Sequence, residues 1–301
     1  DKAIAYLKEQ NSYPAVIKAD GLALGKGVII AQNEEEAIQA VHDMIDELKF
    51  GKSSARIVIE EFLTGPEVSV LSFTDGKTIV PMISSMDHKR ALDGDLGLNT
   101  GGMGTLSPNP YYTEEIAKEC MEKIFIPTVN AMNAEGRTFE GCLYFGLMLT
   151  PKGAKVIEYN CRFGDPETQV VLPMLDADLY EIFEAIYNHE LDKVEIKWHN
   201  GSCACVVMAS GGYPESYAKG IEMHGLNDKG QIDGCFVYHA GTKLSDDGKF
   251  LTNGGRVIGV TAKGNNLQEA LDNAYEGVKK ISFDKAHYRK DIGQRALKAL
   301  K

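Results

Sequence analysis

The segment Glu158-Tyr159-Asn160-Cys161-Arg162-Phe163-Gly164-Asp165-Pro166-Glu167-Thr168-Gln169 gathers the groups best suited to chemistry. Strand alternation puts Glu158, Asn160 and Arg162 on one face. A carboxylate and an amide oxygen are hard donors. They suit Mg²⁺, which takes one or two protein carboxylates and completes its shell from substrate phosphates. Arg162 can clamp a phosphate or a developing acyl phosphate through two parallel N–H groups. A buried ion pair is the structural alternative, because a polar strand face is costly to bury without partners.

Three further clusters carry related chemistry. Lys18 ends an apolar run and precedes the loop Gly21-Leu22-Ala23-Leu24-Gly25-Lys26-Gly27. Glycines let backbone N–H groups approach phosphate oxygens, and a lysine adds a point charge. The loop is not a Walker A sequence, since Gly27 stands where Ser or Thr should follow Lys26. A glycine-rich hairpin beside a solvated lysine would read the same way. Glu60-Glu61-Phe62-Leu63-Thr64-Gly65-Pro66-Glu67 takes a strand into a Gly-Pro turn between acids. Backbone groups at 61–63 can meet an adenine edge, and Glu67 can accept from ribose hydroxyls. An ordinary acidic strand end is the alternative. Asp87-His88-Lys89-Arg90 precedes Asn99-Thr100-Gly101-Gly102-Met103-Gly104. Two cations before a glycine-rich stretch suit a phosphate-bearing ligand. A mobile surface loop is the alternative, and a structural His88 is favoured over a catalytic one.

The elements that must hold these groups follow from periodicity. Pro14–Asp20, Val28–Ala31 and Arg56–Phe62 read as strands, with a helix begun by Asn33 and Glu36. The stripe Ala37, Ile38, Val41, Ile45 and Leu48 should be its buried side. Strands on either side of Asp75-Gly76 form a hairpin. Residues 84–110 read as a long polar, glycine-rich loop. A helix is expected near 114–133, strands at 142–149 and 155–160, and a helix at 177–189. Strands at 202–209, 234–240 and 257–261 precede a final helix at 267–280, begun by Asn266 and Glu269. Domains are expected at 1–66, 67–193 and 194–301.

The whole chain has 301 residues, 44% hydrophobic and 25% charged, an ordinary soluble composition of about two domains' length. Its 32 basic and 43 acidic residues give a formal net charge of −11, which disfavours nucleic acid and anionic membranes as partners. No run of 18 apolar residues suggests a membrane helix. The six cysteines lack disulfide or zinc spacing, Cys203-x-Cys205 being the only close pair, so a reducing cytoplasmic setting is expected. The start at Asp1, without an initiator Met, suggests a chain beginning inside a longer protein.

Taken in order, the strand lysine, glycine-rich loop, E-E-F-L-x-G-x-E and E-x-N-x-R resemble the ATP-grasp ligases. Lys18–Ala23 with Gly25-Lys26-Gly27, Asp87–Arg90, Asn99–Gly104 and Asn160–Gln169 together resemble the phosphoribosylamine–glycine ligase family, from about Pro14 onward. Leu98 departs from that family, whose members usually carry Pro there. The resemblance implies an α/β (α+β) fold: an ATP-grasp of two α/β subdomains with a C-terminal β-rich domain. It also implies an N-terminal domain ahead of residue 1 that contributes to the substrate site. The implied activity joins glycine to 5-phosphoribosylamine through a glycyl phosphate, with ATP and Mg²⁺ or Mn²⁺, in purine biosynthesis. An ATP-binding fragment without turnover, or another carboxylate–amine ligase, are the alternatives.

Carried over by position, Lys18, Gly25, Lys26 and Gly27 attend the ATP phosphates. Glu60, Glu61, Phe62 and Leu63 edge the adenine, and Glu67 meets the ribose. Glu158 and Asn160 hold the metal, with no acid between Gly141 and Leu149 to help. Arg162, Lys89 and Asp165 are the catalytic candidates. Asp87, Asn99, Thr100, Gly101 and Gly102 are the substrate-binding ones.

Overall fold

In strand β1 (Ala15–Ala19), Ala15 and Ile17 are buried while Val16 and Lys18 point the other way. That alternation organises the first of two units, Asp1–Thr64, in a computed structural model that describes residues 1–21 and 27–301. Helix α1 (Lys2–Gln10) precedes β1. Strand β2 (Val28–Ala31), helix α2 (Glu34–Val41) and strand β3 (Ile57–Glu61) follow. The sheet order is β2-β1-β3, antiparallel throughout. The Asn33 side chain accepts the Glu36 N–H at 2.9 Å and caps α2. The buried stripe of α2 is Ala37, Ala40 and Val41, followed by Met44 in a π-turn over His42–Asp46. Leu48, expected on that stripe, is exposed with φ 48°, because the helix has already ended.

The second unit, Gly65–Lys301, is built on β4 (Glu67–Thr74). Asp75 closes the turn into β5 (Ile79–Pro81) by accepting the N–H groups of Lys77 and Thr78. The stretch 84–110 is not a long loop. It contains β6 (Met86–Asp87), β7 (Arg90–Leu92), β8 (Leu96–Asn99) and β9 (Gly104–Ser107). Buried Met86, His88, Met103 and Leu106 pull this polar sequence into the interior. Helices α3 (Glu114–Cys120) and α4 (Ile126–Ala134) cover one face of the sheet β11-β10-β4-β5. Its remaining strands are β10 (Gly141–Thr150) and β11 (Gly153–Asn160).

Beyond β11, α5 (Thr168–Val171) and α6 (Leu179–Tyr187) pack with β12 (Ser202–Ala209) over the other face. Strand β12 belongs to the five-stranded sheet β13-β16-β12-β9-β6, with β13 (Phe236–His239) at one edge. The hairpin β14 (Thr242–Leu244) and β15 (Phe250–Thr252) then leads to β16 (Arg256–Gly264). Because β6 and β9 join it, this sheet draws strands from both sides of residue 194. Helix α7 (Leu267–Lys279), capped by Asn266, packs on it, and α8 (Gln294–Ala299) ends the chain's helices. Among the described residues, no helix is long and apolar enough to cross a membrane.

Candidate active site

In the first unit, register puts Val16, Lys18, Val28, Ile30, Val58 and Glu60 on the sheet face opposite the core. Val28, Ile30 and Val58 are exposed there, and Phe62 is exposed just beyond β3. The Lys18 ammonium meets Glu60 at 2.7 Å on this face. Among the described residues, an exposed apolar floor carrying the Lys18 cation suits a planar base with an anionic tail. Gly25 and Lys26 lie outside the described residues, whereas the Gly27 carbonyl accepts the Ala19 N–H at 2.8 Å. Glu61 ends β3. Leu63 follows it, partly exposed.

In the second unit, β4, β10 and β11 present one polar row. Gly146 on the central strand β10 pairs with Ser69 on one side and Glu158 on the other, and Tyr144 likewise with Leu71 and Asn160. Glu67, two residues from Ser69, shares their face. Gly146 leaves room for the Glu158 side chain, which a Cβ would meet at 3.0 Å. A bulge opposite the Gly146–Leu147 step takes up Ile157 and returns Glu158 to this side. Arg162 lies past the strand end, donating to the Phe163 carbonyl at 2.8 Å and to Asn160 Oδ1 at 3.5 Å.

Lys89 and Glu67, expected on different parts of a ligand, pair with each other at 2.8 Å. Burial works against the Lys89 charge. Glu67, with Asp87 and Glu158, outweighs it and holds the ammonium above its ordinary range. Glu167, 5% exposed, accepts from the Ser69 hydroxyl at 3.2 Å, and that hydroxyl also bonds the Tyr144 phenol at 2.9 Å. Burial, and then the charge of Glu167, pushes Asp87 well above the usual carboxylate range against the pull of Lys89. Burial likewise raises Glu167. Like charges confined together oppose each other's ionisation.

The glycine-rich segment packs directly on this cluster. Thr100 donates both its N–H and its hydroxyl to the Lys89 carbonyl. Gly102, at φ 114°, lies where a Cβ would fall 2.5 Å from Pro166 Cδ and 2.6 Å from Asp87 Oδ1. Arg256 ties the segment to the Asp165 loop, donating to the Gly101 and Asp165 carbonyls and to the Asp165 carboxylate at 3.0 Å. Asn99 is exposed at the end of β8. Asp165, Gln169, Arg256 and Tyr238 line a cavity of about 80 Å³, and Gln169 Oε1 is buried without a partner.

His88 is structural. It is 1% exposed, its Nε2 accepts the Gly293 N–H, and Nδ1 therefore donates to the Gly104 carbonyl. Burial and the nearby Arg289 charge lower it to about 4.

Sequence reasoning quoted Glu167 but gave it no role, and it missed Ser69, Tyr144 and Arg256. An acid beside Pro166 in the sharpest motif was a usable signal for Glu167. Nothing local marks Ser69 or Tyr144, which matter only through the β4–β10 register. As for a metal, Glu158 and Asn160 offer two hard oxygens on one face, a set that fits Mg²⁺ only with further oxygens from ligand or water. No cluster of three or more His, Cys, Asp or Glu residues suited to a metal occurs among the described residues.

Comparison with known proteins gives the family. Residues 1–168 match the phosphoribosylglycinamide synthetase ATP-grasp (A) domain, and residues 203–295 match the C domain of the same synthetase. A phosphoribosylamine–glycine ligase of Synechocystis sp. is 50% identical across 94% of this chain and 67% of its own length. The crystal structure of the Thermotoga maritima phosphoribosylamine–glycine ligase superposes with a TM-score of 0.87 at 35% identity, covering 96% of this chain and 71% of that one. A Hydrogenobacter thermophilus biotin carboxylase domain shares the fold alone, with a TM-score of 0.68 at 16% identity over 95% of this chain and 61% of that one. The chain spans about two thirds of the length of the Synechocystis relative. With its ATP-grasp and C domains both matched, the chain belongs to the phosphoribosylglycinamide synthetase family.

Proposed function

We propose that this protein joins glycine to 5-phosphoribosylamine at the expense of ATP, giving glycinamide ribonucleotide, ADP and phosphate. The observation that carries the reading is the single sheet face of Glu67, Ser69, Glu158 and Asn160 with Lys89 over it, in a chain of this family. Such a face offers metal oxygens and a phosphate-directed cation within one row, with the buried acid Glu167 bonded to its Ser69.

An amine does not displace a carboxylate oxygen unaided. A glycine carboxylate oxygen attacks the γ-phosphorus of ATP and ADP departs, leaving glycyl phosphate. The amine nitrogen then bonds to the carbonyl carbon. The C–O bond to phosphate breaks, and the nitrogen gives up a proton. Protein groups act by positioning and by meeting developing charge. Lys18 and the 25–27 segment attend the phosphates. The apolar face of Val28, Ile30 and Val58 takes the base beside residues 60–63, and Glu67 takes the ribose. Glu158 and Asn160 would hold Mg²⁺ or Mn²⁺, which neutralises phosphate charge when bound. Lys89 and Arg162 face the transferring phosphoryl group. Asp87 and residues 99–102 receive substrate, with Asp165 orienting an amine.

The test counts ADP released by the complete protein as glycine and phosphoribosylamine are supplied singly and together. ADP release that requires glycine supports the reading, and release indifferent to glycine overturns it. Glu158→Gln should lower turnover at least about 100-fold, on the order of 3 kcal/mol, with little change in unfolding midpoint. Turnover close to the unaltered protein's at limiting Mg²⁺ would remove Glu158 from the metal.

A further inference from the structure

We propose that Arg256, at the start of β16, is a positioning residue for amide formation. It clasps the Gly101–Gly102 peptide to the Asp165 loop, so that both meet the incoming amine in one fixed arrangement. The inference rests on the acyl phosphate reading above, in which residues 99–102 and Asp165 face the substrates. It gives the part of the chain that matches the C domain a share in that reaction.

One guanidinium holds two loops that are far apart in sequence. Arg256 Nη1 donates to the Gly101 carbonyl at 2.7 Å and to the Asp165 carbonyl at 2.9 Å, and Nη2 donates to Asp165 Oδ2 at 3.0 Å. Gln169 Nε2 donates to the other carboxylate oxygen, Oδ1, at 2.8 Å. The Asp165 side chain is still about half exposed, whereas that of Arg256 is 20% exposed. The carboxylate is thus oriented from behind while it stays open to a ligand. A guanidinium can do this because its donors lie in one plane as a rigid fork. An ammonium offers a point charge on a flexible stem.

Gly101 is gripped from its other side as well. Its N–H donates to the Tyr213 hydroxyl at 3.1 Å. Tyr213 is anchored beside Arg256: its N–H donates to the Ser210 carbonyl, and Ser210 donates to the Gly255 and Gly254 carbonyls. A Cβ on Gly255 would strike the Tyr213 ring at 2.2 Å, and one on Gly101 would displace the guanidinium, whose Cζ lies 2.9 Å away. Gly102 donates its N–H to the Thr100 hydroxyl at 3.0 Å, and that hydroxyl donates to the Lys89 carbonyl at 2.8 Å. The held peptide therefore leads on to Lys89. Gly101 and Asp165 lie in the part of the chain that matches the ATP-grasp domain, Arg256 and Tyr213 in the part that matches the C domain. None of the three acceptors of Arg256 is on the strands that carry Glu67, Glu158 and Asn160. Loosening the clasp should spare ATP and metal and disturb what happens between the two loops. Amide formation is the step most exposed to that, because the nitrogen must reach one carbonyl carbon before water does.

The test counts ADP and amide separately in the complete protein supplied with ATP, glycine and freshly made phosphoribosylamine. The unaltered protein should make one amide per ADP. Arg256→Lys keeps the charge but not the fork. It should lower kcat for amide about 100-fold, lower glycine-dependent ADP release less than about tenfold, and leave the KM for ATP within about threefold. The surplus ADP should be matched by phosphate from glycyl phosphate that water has split back to glycine. Tyr213→Phe removes only the hydroxyl that accepts from Gly101, and it should lower the amide-to-ADP ratio about threefold. A merely structural loss reduces the amount of active protein, which lowers ADP and amide together and moves neither that ratio nor a KM. Parallel loss of ADP and amide in Arg256→Lys, or a KM for ATP raised more than about threefold, would overturn the assignment alone. If Arg256→Lys fails to fold, an unmoved ratio in Tyr213→Phe overturns it. ADP release independent of glycine in the unaltered protein would overturn the acyl phosphate reading, and this assignment with it.

Discussion

Each unit holds a lysine–glutamate pair of nearly the same length, Lys18–Glu60 at 2.7 Å and Lys89–Glu67 at 2.8 Å, yet their settings differ. The first stands on an open sheet face among exposed Val28, Ile30 and Val58. The second is one corner of a network with Asp87, Glu158, Glu167, Ser69 and Tyr144. Ion-pair distance alone therefore says little about function. By exposure the second pair is the more open, 36% and 49% against 19% and 38%, so what differs is how many other charges act on it, and that is set by contacts distant in sequence. The second unit repeats this habit at its far end. Arg289, 1% exposed, donates to Asp95, to Asp291 and to the Arg90 carbonyl, fastening the β7–β8 hairpin to the C-terminal segment.

The largest effect comes from cutting that fastening. Arg289→Met strips Asp291 of its guanidinium and leaves Asp95 with Arg295 alone, and losing a charged hydrogen-bond partner costs about 1.5–3 kcal/mol. Urea unfolding at neutral pH should show a midpoint lowered by that amount with an unchanged slope. A loss below about 1 kcal/mol would place Arg289 with ordinary surface cations.

The same contrast marks what the sequence made legible. Glu158 and Asn160 were readable as a pair because strand alternation is a local rule, and the β10–β11 register places both on one face. The capped starts of α2 and α7 were readable for the same reason, Asn33 and Asn266 each accepting an N–H three residues on. Residues 84–110 were not. Their polar, glycine-rich composition looks like loop, and only burial of His88, Met103 and Leu106 against distant strands makes four short strands of it. Ser69 and Tyr144 are ordinary strand residues until β4 and β10 pair. Arg256 and Arg289 stand 155 and 194 residues from the groups they bind, Gly101 and Asp95, beyond the reach of any spacing argument.

A second, pH-dependent effect follows from His88. Its ordinary value of 6.5 falls to about 4 in the folded protein. Between those values the unfolded chain binds the proton and the folded one does not, so stability drops as pH falls through that window. The full window amounts to about 3 kcal/mol. Asp87 and Glu167, raised on folding, act in the opposite direction over acidic pH. The measurement is therefore the difference in unfolding free energy between the unaltered protein and His88→Asn, which retains a donor toward Gly104. That difference should shrink steadily from pH 6.5 to 4. A constant difference would mean that His88 titrates freely.

The smallest effect belongs to the pair of the first unit. Glu60 is 38% exposed, so water screens part of the attraction that its separation from Lys18 would otherwise supply. Glu60→Gln keeps the shape of the side chain and removes only its charge. Exchange of the β1–β3 backbone amides should report a stability change in this unit of less than about 1 kcal/mol, shrinking further with added salt. Nucleotide affinity should respond in the other direction, because a Lys18 relieved of its carboxylate attracts phosphate more strongly. Inorganic triphosphate should then bind several-fold tighter, an effect also weakened by salt. A stability loss above about 2 kcal/mol would erase the contrast between the two pairs. It would show that Lys18–Glu60, like Lys89–Glu67, belongs to a network in which no single charge can be removed alone.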